Sequence, residues 1–209
     1  EIKYILEKSY HIATTGRPGP VLLDIPMDLQ RKKINFNKLK SFKTKKEKSK
    51  KIDKKLNYII KQIKKTQKPV LILGGGIKYA KAEKKLNLFL KKINIPIVTT
   101  WSGVDLIDHD EKKYIGNIGV YGSRAANFTV QNSDLILSLG SRLDTRVTGG
   151  SPKSFARKAK KIVIDIDRHE LNKKRGLVVD FKVNVNVKFF LEEFIKNNKE
   201  KIFKNNWLN

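Results

Sequence analysis

Two arginines and an aspartate alternate directly after a short apolar run, at Arg142, Asp144 and Arg146. The run, residues 135–139, is too short for a helix and predicts a buried strand that Gly140 ends. Each guanidinium can offer a planar fork of donors to phosphate or carboxylate, and the aspartate can hold one arginine or accept from a hydroxyl. Such a strand end is typical of a ligand loop in an open α/β sheet. A surface loop with a solvated salt bridge is the alternative.

Two other predicted strand ends carry residues that suit a ligand. Residues 74–76 are three glycines between a strand and a helix, so their amides could face a phosphate, although three glycines alone are a weak signal. Asp165 ends a later strand and could bind a ribose or an adenine edge, or cap a helix. Because these loops would share one sheet edge, we expect a nucleotide-sized ligand there. No nucleophile–base pair or metal-ligand spacing is recognised, so the pattern favours binding over catalysis.

Short apolar runs alternate with amphipathic stretches from residue 53 to residue 198. The helices are expected at residues 56–63, 86–93, 123–131 and 187–194. The strands are expected at residues 70–73, 95–99, 135–139, 161–166 and 178–179, and residues 104–117 are interpreted as irregular. This alternation predicts an α/β fold, a mostly parallel, doubly wound, Rossmann-like sheet with helices on both faces.

The first 52 residues have a different character. Residues 1–15 predict a helix that Gly16 ends, and residues 21–23 predict a short buried strand. A lysine-rich stretch with almost no apolar periodicity follows and is interpreted as an exposed tether. Since the chain begins Glu-Ile-Lys and its first α/β unit lacks partners, we expect it to be an excerpt of a longer protein.

The composition excludes some classes of protein. The 209 residues include no cysteine, no apolar run as long as a membrane span and no signal-peptide pattern at the start, so a cytoplasmic location is expected. The net charge of +26 would suit nucleic acid or an anionic membrane. The lysines, however, are spread along the whole chain and are not grouped with aromatic stacking positions, which argues against both partners.

Six segments resemble, in order and with similar spacing, the thiamine-diphosphate enzymes of the acetolactate (acetohydroxyacid) synthase type. They are HIATTGRPGPVLLDIPMDLQ, KPVLILGGG, TTWSG, GNIGVYGSRAAN, SDLILSLGSRLDTRVTG and KIVIDIDRHEL. Residues 142–149 point to the acetolactate synthase branch in particular. The resemblance implies a transferase of branched-chain amino acid biosynthesis that decarboxylates pyruvate and transfers the two-carbon unit to a second 2-oxo acid. It further implies thiamine diphosphate and Mg²⁺ as cofactors, with no catalytic residue or metal ligand in this segment.

The resemblance also implies an organisation in domains and an assembly. Residues 1–30 would be the C-terminal end of a pyrimidine-binding domain, 31–52 a lysine-rich linker, 53–198 the central domain, and 199–209 the start of a linker to a pyrophosphate-binding domain. A homodimer or homotetramer is expected, and a regulatory subunit is left open.

In this family the central domain carries FAD, which has a mainly structural role. The FAD contacts implied by the motifs are Arg17, Gly75, Thr100, Trp101, Ile118, Gly119, Val120, Tyr121, Gly140, Ser141, Arg142, Leu143, Asp144, Arg146, Asp165 and Ile166. The arginine pair would serve the FAD pyrophosphate or ribityl region, and Asp165 the adenosine end.

Three residues depart from the family pattern. Thr145 stands where a second acid is usual, Trp101 begins the segment that is usually Leu-Met-Gly, and Tyr121 replaces a histidine. These departures motivate one alternative, a flavin-free thiamine-diphosphate decarboxylase or lyase for another 2-oxo acid. The net charge motivates a more distant alternative, a basic nucleotide- or nucleic-acid-binding module.

Overall fold

A computed structural model describes residues 1–44, 51–198, 201 and 207. The chain divides into two units, Glu1–Lys50 and Lys51–Asn209. The second unit holds every strand of the described residues and every loop in which ligand chemistry is expected, except the one that carries Arg17.

The second unit is built on a six-stranded sheet with the order β3-β2-β1-β4-β5-β6. The strands are β1 Pro69–Leu73, β2 Ile97–Thr99, β3 Tyr114–Asn117, β4 Leu135–Leu139, β5 Lys160–Asp165 and β6 Phe181–Asn184. All five neighbouring pairs are parallel. In the centre, Leu71 of β1 is aligned with Leu137 of β4 and with Ile97 of β2. The predicted fold class is therefore confirmed.

Helices cover both faces of this sheet. The helices of the unit are α3 Asp53–Lys65, α4 Gly76–Tyr79, α5 Glu83–Leu90, α6 Arg124–Gln131, α7 Thr145–Thr148, α8 Arg168–Asn172 and α9 Val187–Asn197, with 3-10 turns at Trp101–Leu106 and Pro152–Ser154. One core joins α3, α5 and α9 to the strand face that carries Leu71 and Leu137. The other core joins α6 and α8 to the face that carries Ile72 and Ile136. Side chains of β1 and β4 alternate between these cores, so both strands are buried along their whole length.

Two predictions about the edges of the sheet are wrong. The stretch interpreted as irregular, residues 104–117, begins inside the 3-10 turn Trp101–Leu106 and ends with the edge strand β3, whose four residues are all half-buried. The last strand is β6 and not residues 178–179, since Val178 is 70% exposed. In β6, Val183 is the one fully buried residue. Edge strands bury less apolar surface than central ones, and their apolar pattern is correspondingly weak.

The first unit, described for residues 1–44, consists of α1 Ile2–Thr14, α2 Met27–Gln30 and a 3-10 turn at Phe36–Lys38. Helix α1 ends as predicted, because Gly16 follows it with a φ of +65°. The strand predicted at residues 21–23 is wrong: no strand forms there, and Leu22 is 93% exposed. A strand needs a hydrogen-bonded neighbour, and residues 1–44 supply none.

The assignment of four segments to domains and linkers stays a prediction. Of the two predicted linkers, residues 45–50, 199–200, 202–206 and 208–209 lie outside the described residues.

We expect Leu137→Asp to unfold the second unit. Leu137 is fully buried in the central strand β4, and a carboxylate there would have no partner. Burying an unpaired charge costs more than about 4–5 kcal/mol, a large part of a domain's stability of about 5–15 kcal/mol. Leu88→Asp is the matched control, since Leu88 on α5 is 47% exposed. Thermal melts followed by circular dichroism should show cooperative unfolding for the control alone; a cooperative melt of Leu137→Asp would contradict the strand assignment.

Candidate functional site

The loops after the strands meet at the carboxyl edge of the sheet. We call residues 74–76, 100–103, 118–122, 140–148 and 165–167 the carboxyl-edge loops. In the sheet, β2 and β3 lie on one side of β1, and β4, β5 and β6 lie on the other side. The loops of β1 and β4 therefore flank the point where the strand order reverses. Ligands of open α/β sheets bind in the crevice at this point.

The three glycines after β1 are used for close packing. The amide of Gly74 donates to the carbonyl of Leu139 at 2.9 Å, and the amide of Gly76 donates to that of Gly140 at 2.9 Å. A Cβ at Gly74 would overlap the Gly140 oxygen, and one at Gly75 would lie 2.8 Å from Ser102 Oγ. Two of the three amides proposed as phosphate donors therefore already donate within the protein.

The loop after β3 is fixed to the loop after β4. The amide of Val120 donates to the carbonyl of Arg146 at 2.9 Å. The side chain of Asn127 brackets Gly119, accepting from its amide and donating to its carbonyl, both at 3.0 Å. Gly119 has a φ of +108°, and a Cβ there would overlap the Arg146 oxygen. This contact brings residues 118–121 and the arginine loop together, as the sequence predicted for a shared edge.

The arginine loop is a capped turn. Asp144 begins α7 by accepting from the amide of Arg146 at 3.0 Å, and its second oxygen lies 3.1 Å from the guanidinium of Arg142. Leu143, between them, is buried and has a φ of +48°, a conformation that residues other than glycine rarely adopt. The hydroxyl of buried Ser141 accepts from the amide of Leu143 at 3.3 Å. Asp144 thus holds one arginine in place, which is one of the roles that the sequence suggested.

The two arginines differ in how they are held. Arg142 is half-exposed and paired with Asp144, and it approaches Glu170 at 4.0 Å. The side chain of Arg146 is exposed, and within the part of the chain that the structure describes it makes no hydrogen bond or ion pair. Its guanidinium is therefore available to an anion at the carboxyl edge.

Two exposed aromatic rings lie at the ends of β2 and β3. Trp101 and Tyr121 are 70% and 74% exposed and meet edge to face, with ring centroids 5.8 Å apart. Val120 is also exposed beside Tyr121, whereas Thr100 and Ile118 are buried under the loops. The rings therefore lie at the carboxyl edge on the side of the sheet away from β5.

The loop after β5 presents carboxylates. Asp165 accepts from the amide of Asp167 at 2.8 Å, and Asp167 caps α8 by accepting from the amides of His169 and Glu170. The side-chain amide of Asn184 donates to the carbonyl of Ile166 at 2.7 Å and ties this loop to β6. Asp165 therefore stabilises the loop, and Asp167, not Asp165, caps the helix.

Two residues that the sequence analysis missed lie beside the arginine loop. Glu170 and Arg175 are 12% and 18% exposed in their side chains and form an ion pair at 3.0 Å. With Arg142, Asp165 and Lys182 they line a small pocket over an apolar floor. Glu170 stands three residues after the cap of α8, a position where an acid is common, but nothing in the local sequence indicates the partner of Arg175.

A second ion pair lies on the other side of the crevice. Lys78 of α4 donates to Asp105 at 2.7 Å, and this hydrogen bond is the main reason that the pKa of Asp105 is lowered. Among the described residues, no cluster of three metal-ligating side chains is present. No helix in the described ranges is long and apolar enough to cross a membrane.

Arg17, the remaining predicted site residue, lies in the bend after α1 in the first unit and is exposed.

The domain has a doubly wound, open α/β architecture, a class in which ligands bind at the carboxyl edge of the sheet where the strand order reverses. Within that class, residues 56–194 match the family described as "Thiamine pyrophosphate enzyme, central domain". The chain belongs to this family.

Several acetolactate synthases are similar to the chain. Acetolactate synthase isozyme 2 large subunit of Escherichia coli (strain K12) is 36% identical over 187 residues, which are 89% of this chain and 33% of the relative. The large subunit of Lactococcus lactis subsp. lactis (strain IL1403) is 34% identical over 211 residues, 100% of this chain and 36% of the relative. The chloroplastic enzyme of Arabidopsis thaliana is 36% identical over 180 residues, 84% of this chain and 26% of the relative. The chain spans about a third of the length of the first two relatives. The resemblance stated from the motifs is confirmed.

We expect Gly119→Ala to loosen the contact between the loops after β3 and β4. The φ of +108° is costly for alanine, and its Cβ would push the Arg146 carbonyl away. The strained backbone conformation alone should lower the free energy of unfolding by about 1–3 kcal/mol. Gly150→Ala is the control, since a Cβ there meets nothing within 4 Å. Urea titrations should show a lower midpoint for Gly119→Ala alone, and equal midpoints for the two variants would contradict this packing role.

Proposed function

We propose that this chain is part of an acetolactate synthase large subunit, in which residues 53–198 form the central, FAD-holding domain. The support for the activity is the family match over residues 56–194 together with relatives named as acetolactate synthases. The support for FAD is the order of chemical groups along the carboxyl edge, argued next.

The groups along the carboxyl edge follow the order of the parts of a flavin dinucleotide. Aromatic Trp101 and Tyr121 lie after β2 and β3, the arginine loop follows β4, and Asp165 ends β5. From β3 to β5 there are four strand spacings, about 19 Å at about 4.8 Å each, a span that suits an extended dinucleotide. An aromatic ring, a pyrophosphate and a ribose would each face a matching group. This order is the single observation that carries the assignment of FAD.

Each group has a defined task in this proposal. Arg146, exposed and free of a protein partner among the described residues, would bind the pyrophosphate, with Arg142 beside it. Asp165 would accept from a hydroxyl or amino group at the adenosine end. Trp101 and Tyr121 would contact the flavin ring, which is large, flat and aromatic. The remaining motif residues of the second unit named above complete the proposed set, and Arg17, in the first unit, stays a prediction from the motifs.

The other properties of the whole enzyme are proposals of the same kind. Thiamine diphosphate with Mg²⁺, when bound, supplies the carbanion chemistry by which pyruvate is decarboxylated and its two-carbon unit transferred. We assign no residue of this chain to that step. The proposed substrates are 2-oxo acids, the proposed assembly is a homodimer or homotetramer in the cytoplasm, and the proposed domain limits are residues 1–30, 31–52, 53–198 and 199–209.

The first experiment is an absorbance spectrum of the purified protein after incubation with FAD and gel filtration. Flavin bands that elute with the protein support the proposal, and their absence after incubation of the complete large subunit would overturn the FAD assignment. Formation of acetolactate from pyruvate by the same preparation, with thiamine diphosphate and Mg²⁺, tests the activity separately.

Arg146→Ala should raise the Kd for FAD by about 10- to 100-fold with little change in thermal stability. A charge-assisted hydrogen bond contributes about 1.5–3 kcal/mol, and each 1.4 kcal/mol is tenfold in Kd. Arg157→Ala is the matched control, because Arg157 is also exposed but precedes β5, at the opposite edge of the sheet. Flavin fluorescence titrations give both values. An unchanged Kd for FAD in Arg146→Ala would show that Arg146 does not bind the pyrophosphate.

The flavin-free alternative is favoured by one observation, the aromatic pair itself. Trp101 and Tyr121 already contact each other and could occupy the space of a flavin ring. The double variant Trp101→Leu, Tyr121→His separates the two proposals. If the rings contact FAD, the variant should bind it about two- to tenfold more weakly, since an aromatic pair contributes about 0.5–1.5 kcal/mol. If they fill the crevice, the variant gains FAD binding that the natural sequence lacks.

A further inference from the structure

The arginine loop carries backbone strain that something outside the loop must hold. Leu143 keeps a φ of +48° while its side chain is 2% exposed. Such a conformation persists only where the surroundings fix it. Within the loop, Ser141 Oγ and the Asp144 carboxylate provide two restraints.

A third restraint comes from a distant part of the chain. Nη2 of Arg175 donates to the backbone carbonyl of Arg142 at 2.6 Å, across 33 positions of sequence. The same nitrogen donates to Oε2 of Glu170 at 3.0 Å, so the carboxylate fixes the guanidinium in its pose. Arg175 is 18% exposed and Glu170 12% exposed, which screens this pair from solvent more than a surface ion pair.

We propose that Arg175, oriented by Glu170, is a positioning residue that holds the arginine loop in its ligand-binding conformation. It acts through the Arg142 carbonyl, immediately before the strained Leu143, and it does not itself contact the ligand. Only the identity of the ligand rests on the proposed function. The contact between Arg175 and the arginine loop is present in the protein without a ligand. A loop that is fixed in advance loses less conformational freedom when it binds an anion.

Lys173 offers a matched control. Its ammonium lies 3.8 Å from Glu170, but it is 56% exposed and makes no hydrogen bond to the arginine loop among the described residues. Arg175→Gln and Lys173→Gln therefore remove the same charge beside the same carboxylate. Arg175→Gln alone also removes the guanidinium from the Arg142 carbonyl.

The first readout needs no ligand. Hydrogen exchange of the amides of residues 145–149 should be about tenfold faster in Arg175→Gln and unchanged in Lys173→Gln. Equal exchange in Arg175→Gln and the natural sequence would overturn the proposal, whether or not the protein binds FAD. Glu170→Gln, which keeps the shape of the side chain but loses its charge, should show a smaller increase and serves if Arg175→Gln does not fold.

The second readout is a double-mutant cycle on the Kd for FAD. Arg175→Gln should raise the Kd about five- to tenfold in the natural sequence and have a smaller effect in an Arg146→Ala background, because the guanidinium that the held loop presents to the anion is then gone. Arg142→Ala is not used as the background, since it keeps the backbone carbonyl to which Arg175 donates. Additive effects of Arg175→Gln and Arg146→Ala would overturn positioning of the loop for the ligand. If the natural sequence binds no FAD, the proposed function fails, and the hydrogen exchange still decides whether Arg175 holds the loop.

Discussion

The contact between the loops after β1 and β4 is the constraint on which the site depends. Gly74 and Gly76 donate to the Leu139 and Gly140 carbonyls, and no side chain fits between the two backbones. Since this contact lies where the strand order reverses, it fixes the start of the arginine loop. The residues that follow Gly140 therefore start from a fixed position at the carboxyl edge.

A glycine-rich turn after a strand has two physical uses that look alike in a sequence. Glycine exposes amides to a phosphate, and it also lets two backbones approach closely. In this protein the second use accounts for Gly74 and Gly76, since a Cβ on either would meet the backbone of Gly140. In the proposed function, anion binding therefore falls mainly to the guanidinium groups, which do not require free backbone amides.

The sequence predicted the central strands well because they are buried on both faces. Strands β1, β4 and β5 were placed within one residue, whereas the edge strands β3 and β6 were missed since they bury few side chains. The arginine loop could be recognised because its chemistry is contiguous, from Arg142 to Arg146. Arg175 could not be recognised, because its acceptor is a backbone carbonyl 33 positions away. Every residue has a backbone carbonyl, so the residue types do not indicate which one accepts.

The arginine loop is also a costly part of the fold. Leu143 is strained, and the loop carries two arginines while the guanidinium of Arg175 lies at the Arg142 carbonyl, so like charges repel one another there. Asp144 and Glu170 offset part of that repulsion, each from one side of Arg142. Among the described residues, no carboxylate pairs with the guanidinium of Arg146. An anion bound to this guanidinium would therefore complete the charge balance of the loop. The same arrangement that destabilises the loop without a ligand would therefore strengthen its interaction with a phosphate.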